Sequence, residues 1–424
     1  MADMTLVTAG AMTANIAGYL LQLLAGRWLG VDGYSEFAGL LAVQLLCAVP
    51  ALALQNVVAR QLARGADAAA LRALGWRCAV LVAGVVVVLV PVVTLVLDVG
   101  AAACAAALGA APALVLLSGE QGVLQGLRRF RGLAVVLGLA GITRVVPALI
   151  VLAFGGGATP ALWAAACGIA CAALIARSIA ASPRFAGRVS PSTAAATAEG
   201  PGAVGIEPSA GDATPGGFAG VLAVVSAAQV QAVLMALSST DLIVVRIVLD
   251  ETDAGRYALG TIATKIAFWL PQAVGVVLYP RMAQPASSAG AVRAALAVLS
   301  GIGAVAVLGA VVAAPLAPLL AGQDYAPIQS VLWMFALHGA VLAVLQGALL
   351  SAIAVERTAI AGPAWTGLVV EVVLMLTVAD SVVGLIGTAV AVAVTTTVTV
   401  SVIVIRTAVR RPETTDAHVR GPLT

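Results

Sequence analysis

Long, nearly uninterrupted apolar runs constrain this chain more than any other feature. Between Arg77 and Asp98 lie twenty residues without a single charge. That is the length needed to cross the hydrocarbon core of a bilayer as a helix. Runs of this kind recur at 5–30, 37–59, 78–97, 101–118, 132–154, 160–181, 218–249, 257–279, 294–314, 328–355, 359–379 and 382–405. With 62% hydrophobic and only 10% charged residues, no water-soluble fold could bury so much apolar surface. Soluble enzymes, nucleic-acid binders and disulfide-stapled secreted domains are excluded. The runs are continuous rather than alternating, which also excludes a transmembrane β-barrel. The expected class is all-α, a polytopic integral membrane protein of twelve transmembrane helices.

One connection differs from the rest. Residues 182–216 are rich in Ser, Thr, Pro, Gly and Ala, a composition that forms no core and reads as a linker. It divides the chain into an N-terminal six-helix bundle (1–181), a C-terminal bundle (217–406) and a tail (407–424). Asn15 and Gln22 interrupt the first run and no cleavage site follows it, so it is read as a retained span rather than a signal peptide. Most arginines, among them Arg60, Arg64, Arg72, Arg128, Arg129, Arg177 and Arg406, fall in the even-numbered connections and the tail. The odd-numbered connections are short and acidic, holding Asp32, Glu36, Asp98, Asp250, Glu251, Asp253, Asp324 and Asp380. Basic residues near span ends are retained in the cytoplasm. The expectation is a plasma-membrane protein with both termini cytoplasmic. With short outer connections, no nucleotide-cradling loop and no HExxH motif, an enzyme is not expected. The cysteines Cys47, Cys78, Cys104, Cys167 and Cys171 show neither a metal-ligand nor a disulfide pattern.

The two halves echo one another. Arg27 through Tyr34 follows the first run and Arg246 through Tyr257 the seventh; Val57-Val-Ala-Arg60 closes the second run and Leu278-Tyr-Pro-Arg281 the eighth. The offsets are 219 for the leading arginines, 223 for the tyrosines and 221 for the closing arginines. Such agreement marks a duplicated six-helix unit. Both copies begin in the same direction, so the repeats are parallel, related by an axis along the membrane normal. Transporters of this construction bind substrate near the midplane and rock one half against the other.

The segment Ala14–Gly30 followed by Gly33-Tyr-Ser-Glu-Phe37 resembles the opening of bacterial oligosaccharide flippases. These belong to the exporter superfamily shared with multidrug extruders and the lipid II flippase. Leu124–Gly132, Asp241 with Gly255 and Tyr257, Tyr279-Pro-Arg281 and Ala354–Thr358 fit the same pattern in the same order. The resemblance implies a V-shaped pair of bundles around a central cavity. It also implies that the protein moves a polyprenyl-(pyro)phosphate-linked glycan from the inner to the outer leaflet by alternating access. Partners implied are the lipid-linked glycan, membrane lipids and a polysaccharide polymerase or glycosyltransferases, with no nucleic acid. Competing readings are an ion-coupled multidrug or small-molecule exporter of the same or the major facilitator superfamily, and a non-transporting scaffold of a polysaccharide synthase.

Ionisable residues inside spans cost about 2.5–3.5 kcal/mol each near a helix centre, so each invites an explanation. Arg144, Lys265, Arg27 and Arg246 are the candidate ligands of an anionic headgroup, since a pyrophosphate cannot leave water without counter-charges. Arg27 and Arg246 lie close enough to the outer interface to snorkel instead. Asp241 and Glu371 are candidates for coupling to H⁺ or Na⁺, or for counter-ions of the cavity; no other cofactor is expected. Arg144 and Glu371 could alternatively form a buried pair. His338 reads as an interhelical hydrogen-bonding residue. Asn15, Gln22, Gln55, Asn56, Gln229 and Gln272 are the polar residues expected to line the cavity.

Overall fold

The computed structural model describes residues 2–182, 229, 231–282, 289–353 and 361–409. Nearly all of the 182–216 linker, and the tail beyond 409, lie outside the described residues. Within them the chain is helical throughout, in the order α1 (Ala2–Cys47), α2 (Val49–Ala63), α3 (Ala68–Leu97), α4 (Ala101–Gly126), α5 (Phe130–Ala153) and α6 (Ala158–Ala181). There follow α7 (Thr240–Val248), α8 (Glu251–Met282), α9 (Ala289–Ala313), α10 (Leu316–Ala321), a 3-10 segment (Gln323–Val331), α11 (Leu332–Ile353), α12 (Ala361–Thr377) and α13 (Val382–Val409). Nine of the described segments are long and apolar enough to cross a bilayer, and Gly362–Thr377 is a shorter apolar helix. The all-α, multi-pass membrane architecture follows directly.

Several boundaries differ from the sequence expectation, for identifiable reasons. The first two expected spans are not separated by a loop. Two helical stretches meet directly at Gly30, whose non-helical backbone (φ 69°, ψ −179°) lies in a region open to glycine alone. The second span is instead interrupted at Ala48, with Pro50 in the first turn of α2. α3 begins at Ala68, ten residues before the apolar run, because the Asp67 carboxylate accepts a hydrogen bond from the Ala70 N–H (3.1 Å) and caps it there. α4 runs on to Gly126, past the expected end at 118, and so carries Glu120 into helix. The span Gln231–Val248 is broken at Ser238–Ser239. The connection after α9 is not short: it is built from α10 and the 3-10 segment.

The acidic connections converge on one end of the molecule. The Thr252 hydroxyl donates to Asp32 (2.9 Å), Arg246 reaches the Asp98 carbonyl, and Arg256 donates to the Asp324 carbonyl (2.9 Å). At this acidic end a single apolar core runs through both halves, from Leu21, Tyr34 and Phe37 to Tyr257, Tyr325 and Phe335. At the opposite, basic end there are two cores. One holds Leu54, Leu71, Leu74, Leu124 and Leu133 of the N-terminal half, with Met235 inserted from the other. The second holds Val233, Phe268, Leu342, Leu349 and Val400. The two halves are thus joined along one end and largely separate at the other.

Burial is deepest in the second span of the N-terminal half and in the first of the C-terminal half: residues 34–44 are buried apart from Glu36, while none of residues 6–20 is. In the apolar windows of Leu6–Ala63 and Gln231–Val248, 67% and 61% of residues are buried, against 11% for α3 and 6% for Arg293–Ala313. α1 packs along α5 of its own half and along α8 of the other. The backbone at Gly30 admits no Cβ without strain. Substituting Gly30→Ala should therefore cost about 1–3 kcal/mol and lower the melting temperature of the purified protein. Gly18→Ala, at an open position on the same helix, should leave it unchanged or raise it slightly.

Candidate functional site

Two groups of polar side chains cross between the halves, and they differ in depth. The first lies at the acidic end. Arg27, three residues before Gly30 in α1, donates through Nη1 to the carbonyls of Leu319 (3.1 Å) and Leu320 (3.2 Å), at the C-terminal end of α10. Arg246, near the end of α7, donates through Nε to the Leu97 carbonyl (3.0 Å), through Nη1 to Ser35 Oγ (2.6 Å) and through Nη2 to the Asp98 carbonyl (3.4 Å). Leu97 and Asp98 end α3, where Asp98 adopts the left-handed cap conformation. The last carbonyls of a helix lack intrahelical partners and carry partial negative charge. Each arginine therefore satisfies an exposed helix end in the opposite half.

The arrangement is reciprocal. The first span of each repeat sends its arginine to the chain just after the third span of the other. The duplicated Arg27 and Arg246 thus close the acidic end from both sides. Thr252–Asp32 and the Tyr325 hydroxyl on the Gly26 carbonyl (3.1 Å) add to the closure. Arg246 also meets Glu251 (3.5 Å), but that carboxylate is 66% exposed and adds little.

The second group lies deeper. Arg144 of α5 donates through Nη2 to the Oε1 of the buried Gln44 on α1 (3.3 Å). Lys265 of α8 has two electrostatic neighbours: the attractive Asp241 and the repulsive Arg144. Its backbone carbonyl accepts from the Tyr19 hydroxyl (3.3 Å), which fastens α1 to α8 at that level. Asp241 is fully buried; it accepts from the Leu242 N–H (2.8 Å) and the Tyr257 hydroxyl (3.1 Å). Glu371 on α12 is also fully buried, with both carboxylate oxygens unpartnered among the described residues, and it interacts electrostatically with Asp241.

The expected residues thus separate. Arg144, Lys265, Asp241 and Glu371 form one deep cluster drawn from both halves. Arg27 and Arg246 lie apart from it, bonded at the acidic end, Arg27 through Nη1 to two carbonyls and Arg246 to two carbonyls, Ser35 and Glu251. No Arg144–Glu371 pair forms. Of the polar residues expected to line a cavity, Gln22 is half-buried, while Asn15, Asn56 and Gln229 are exposed. Gln55 donates to Gln125 within the N-terminal half (3.3 Å). The side chain of Gln272 lies outside the described residues. His338 is fully buried with neither ring nitrogen partnered among the described residues, so the expected interhelical hydrogen bond is not found there. Sequence reasoning placed Gln44 only among the amides that glue helices or line a cavity, and passed over Ser35 and Tyr257 as site members. Only Tyr257 carried a signal, through its place in the repeat. No group of His, Cys, Asp and Glu among the described residues is arranged to hold a metal ion.

No family model matches the chain, and no curated protein sequence matches it. Solved structures do. The lipid II flippase MurJ in an inward closed conformation aligns over 96% of this chain and 88% of its own, with a TM-score of 0.71 and 12% identity. A multidrug resistance MATE family transporter of the MOP superfamily, in an inward-facing conformation, aligns over 92% and 93%, with a TM-score of 0.62 and 12% identity. The chain shares the fold of these two proteins. The Vibrio cholerae MATE transporter VcmN in its bent form aligns over 97% and 98%, at 0.51 and 14% identity. Both neighbour types are transporters.

The crossing arginines can be tested directly. Arg246→Ala removes charge-assisted hydrogen bonds from a side chain only 7% exposed and should cost about 1.5–3 kcal/mol; Arg27→Ala, which is exposed, should cost less. Hydrogen-exchange mass spectrometry should show faster exchange around residues 96–100 in the first variant and 319–322 in the second. Unchanged protection would mean that these bonds do not hold the acidic end closed.

Proposed function

We propose that this protein is a flippase for a polyprenyl-(pyro)phosphate-linked oligosaccharide or related glycolipid of the cell envelope. One observation carries the reading: Arg144 and Lys265, contributed by opposite halves, are both held against α1 in the membrane interior, through Gln44 and Tyr19 respectively. Two cations held in a membrane interior are costly unless an anion joins them. A phosphate or pyrophosphate supplies that anion, and it bridges the halves that must move together. The halves are the six-helix units 1–181 and 217–406, rocking about the acidic end, which the arginine distribution assigns to the outer face; both termini are then cytoplasmic. Asp241 and Glu371 serve as the coupling site for H⁺ or Na⁺, or as the counter-charge that holds Lys265 when substrate is absent.

A second reading is an exporter of organic cations, like the multidrug transporters that share the fold. It is favoured by the two fully buried carboxylates Asp241 and Glu371. The two readings separate on depletion of the protein in its host, with extracted polyprenyl phosphates measured by mass spectrometry. The flippase reading expects one completed glycan-lipid to accumulate, inaccessible from outside. An unchanged pool with raised sensitivity to toxic cations would favour the exporter. Arg144→Ala and Lys265→Ala should each lower glycan export at least tenfold at normal protein level, since each removes a charge-assisted contact worth about 1.5–3 kcal/mol. Silent substitutions would remove the cationic cluster from the mechanism, and would suit a scaffold that transports nothing.

A further inference from the structure

At the basic end of the N-terminal half, α4 packs on both α3 and α6, and the flanking helices leave a groove between them with α4 as its floor. Its volume is about 240 Å³. The apolar lining includes Trp76, Leu116 and Leu174, and three charged residues stand in it: Arg72, Glu120 and Arg177. The lining residues along α4 run from Ala113 to Val123. At 1.5 Å per residue that is roughly 15 Å, the hydrocarbon depth of one leaflet. Trp76 and Leu174, 59% and 72% exposed, border the groove, and tryptophan favours the membrane–water interface. None of the deep-cluster residues lines it.

The charge in this groove is unbalanced. Glu120, 8% exposed, already receives Arg72 through Nε (3.0 Å to Oε1) and Nη2 (3.2 Å to Oε2), a two-pronged pairing that satisfies a carboxylate. Arg177 then adds a second guanidinium to the same Oε1 (3.0 Å), through Nη1 alone, and remains 57% exposed. One carboxylate thus holds two arginines in place, leaving a net positive charge. Most of the N–H donors of Arg177 remain available. Below them the apolar part of the groove continues along α4 to Ala113, roughly 10 Å.

We propose that this groove binds an acidic phospholipid of the leaflet that meets the basic end. Its phosphate rests on Arg177 and the free edge of Arg72, and one acyl chain lies between α3 and α6 along α4. Glu120 is the positioning residue that fixes both guanidiniums. A zwitterionic lipid offers the same chain but brings its own cation toward Arg177, so the site discriminates by headgroup.

The test uses the full-length protein in detergent, titrated with phosphatidylglycerol or phosphatidylcholine of identical chains and followed by native mass spectrometry. Phosphatidylglycerol should bind about tenfold more tightly, and Arg177→Ala should abolish that preference, as expected for one charge-assisted contact to phosphate. Ala170→Trp, which fills the groove mouth without touching a charge, should weaken both lipids. Arg77→Ala, an exposed arginine of α3 outside the lining, should bind as the parent does. Equal affinity for the two lipids, or unchanged binding in both Arg177→Ala and Ala170→Trp, would overturn the proposal. So would an equal loss in Arg77→Ala, which would indicate general surface charge. Displacement of phosphatidylglycerol by millimolar inorganic phosphate would overturn it too, by making the cluster a site for free anions.

Discussion

An arginine within a lipid-facing assembly must find donors' worth of partners or bear the cost of its charge, and a helix that ends at the same depth leaves carbonyls in equal need. In this protein each problem solves the other across the two halves. Arg246 occupies the end of α3, and Arg27 occupies the end of α10. Each half thus supplies the carbonyls that receive the other half's arginine. The continuous core at the acidic end follows from that closure. It brings Tyr34 edge-on to Tyr325, with ring centroids 6.4 Å apart, and Tyr257 against Phe335 at 4.9 Å within the C-terminal half.

Lipid imposes a strict hydropathy on whatever crosses it, which is why the number, order and duplication of the helices could be read from sequence. Boundaries were less legible where a helix outruns the apolar stretch. α3 gains ten residues and α4 eight because helix continues through the interfacial region, where polar side chains are tolerated. Glu120 is a casualty of this: taken as lying beyond a span, it is a buried helical residue between two arginines. The junction at Gly30 was hidden for another reason. A single glycine with positive φ joins the two stretches without a loop, so Val31–Glu36 looks like a connection in sequence and is helix in the structure.

The deep site shows the same division. Arg144, Lys265, Asp241 and Glu371 announce themselves singly, because each is a charge in an apolar run. Their grouping does not, since it depends on how α5, α7, α8 and α12 meet. Backbone carbonyls have no sequence signature at all. The engagement of Arg27 and Arg246 with Leu319, Leu320, Leu97 and Asp98 was therefore beyond reach, and sequence left the two arginines between headgroup ligand and interfacial snorkel. Gln44 does not stand out in sequence from the other intramembrane amides, yet it accepts a hydrogen bond from the Arg144 side chain.

The uneven joining of the halves bears on how the molecule could move. Lipid tails are as apolar as leucine, so peeling one apolar helix face from another inside a bilayer exchanges like for like at small net cost. What resists separation at the acidic end is a handful of directional polar bonds, which lose most of their strength within about an ångström of stretch. The acidic end is therefore latched rather than glued. Such a closure gives way abruptly, with little intermediate yielding, and a cargo gripping both halves at depth would apply its pull to a few bolts and not to a broad adhesive face.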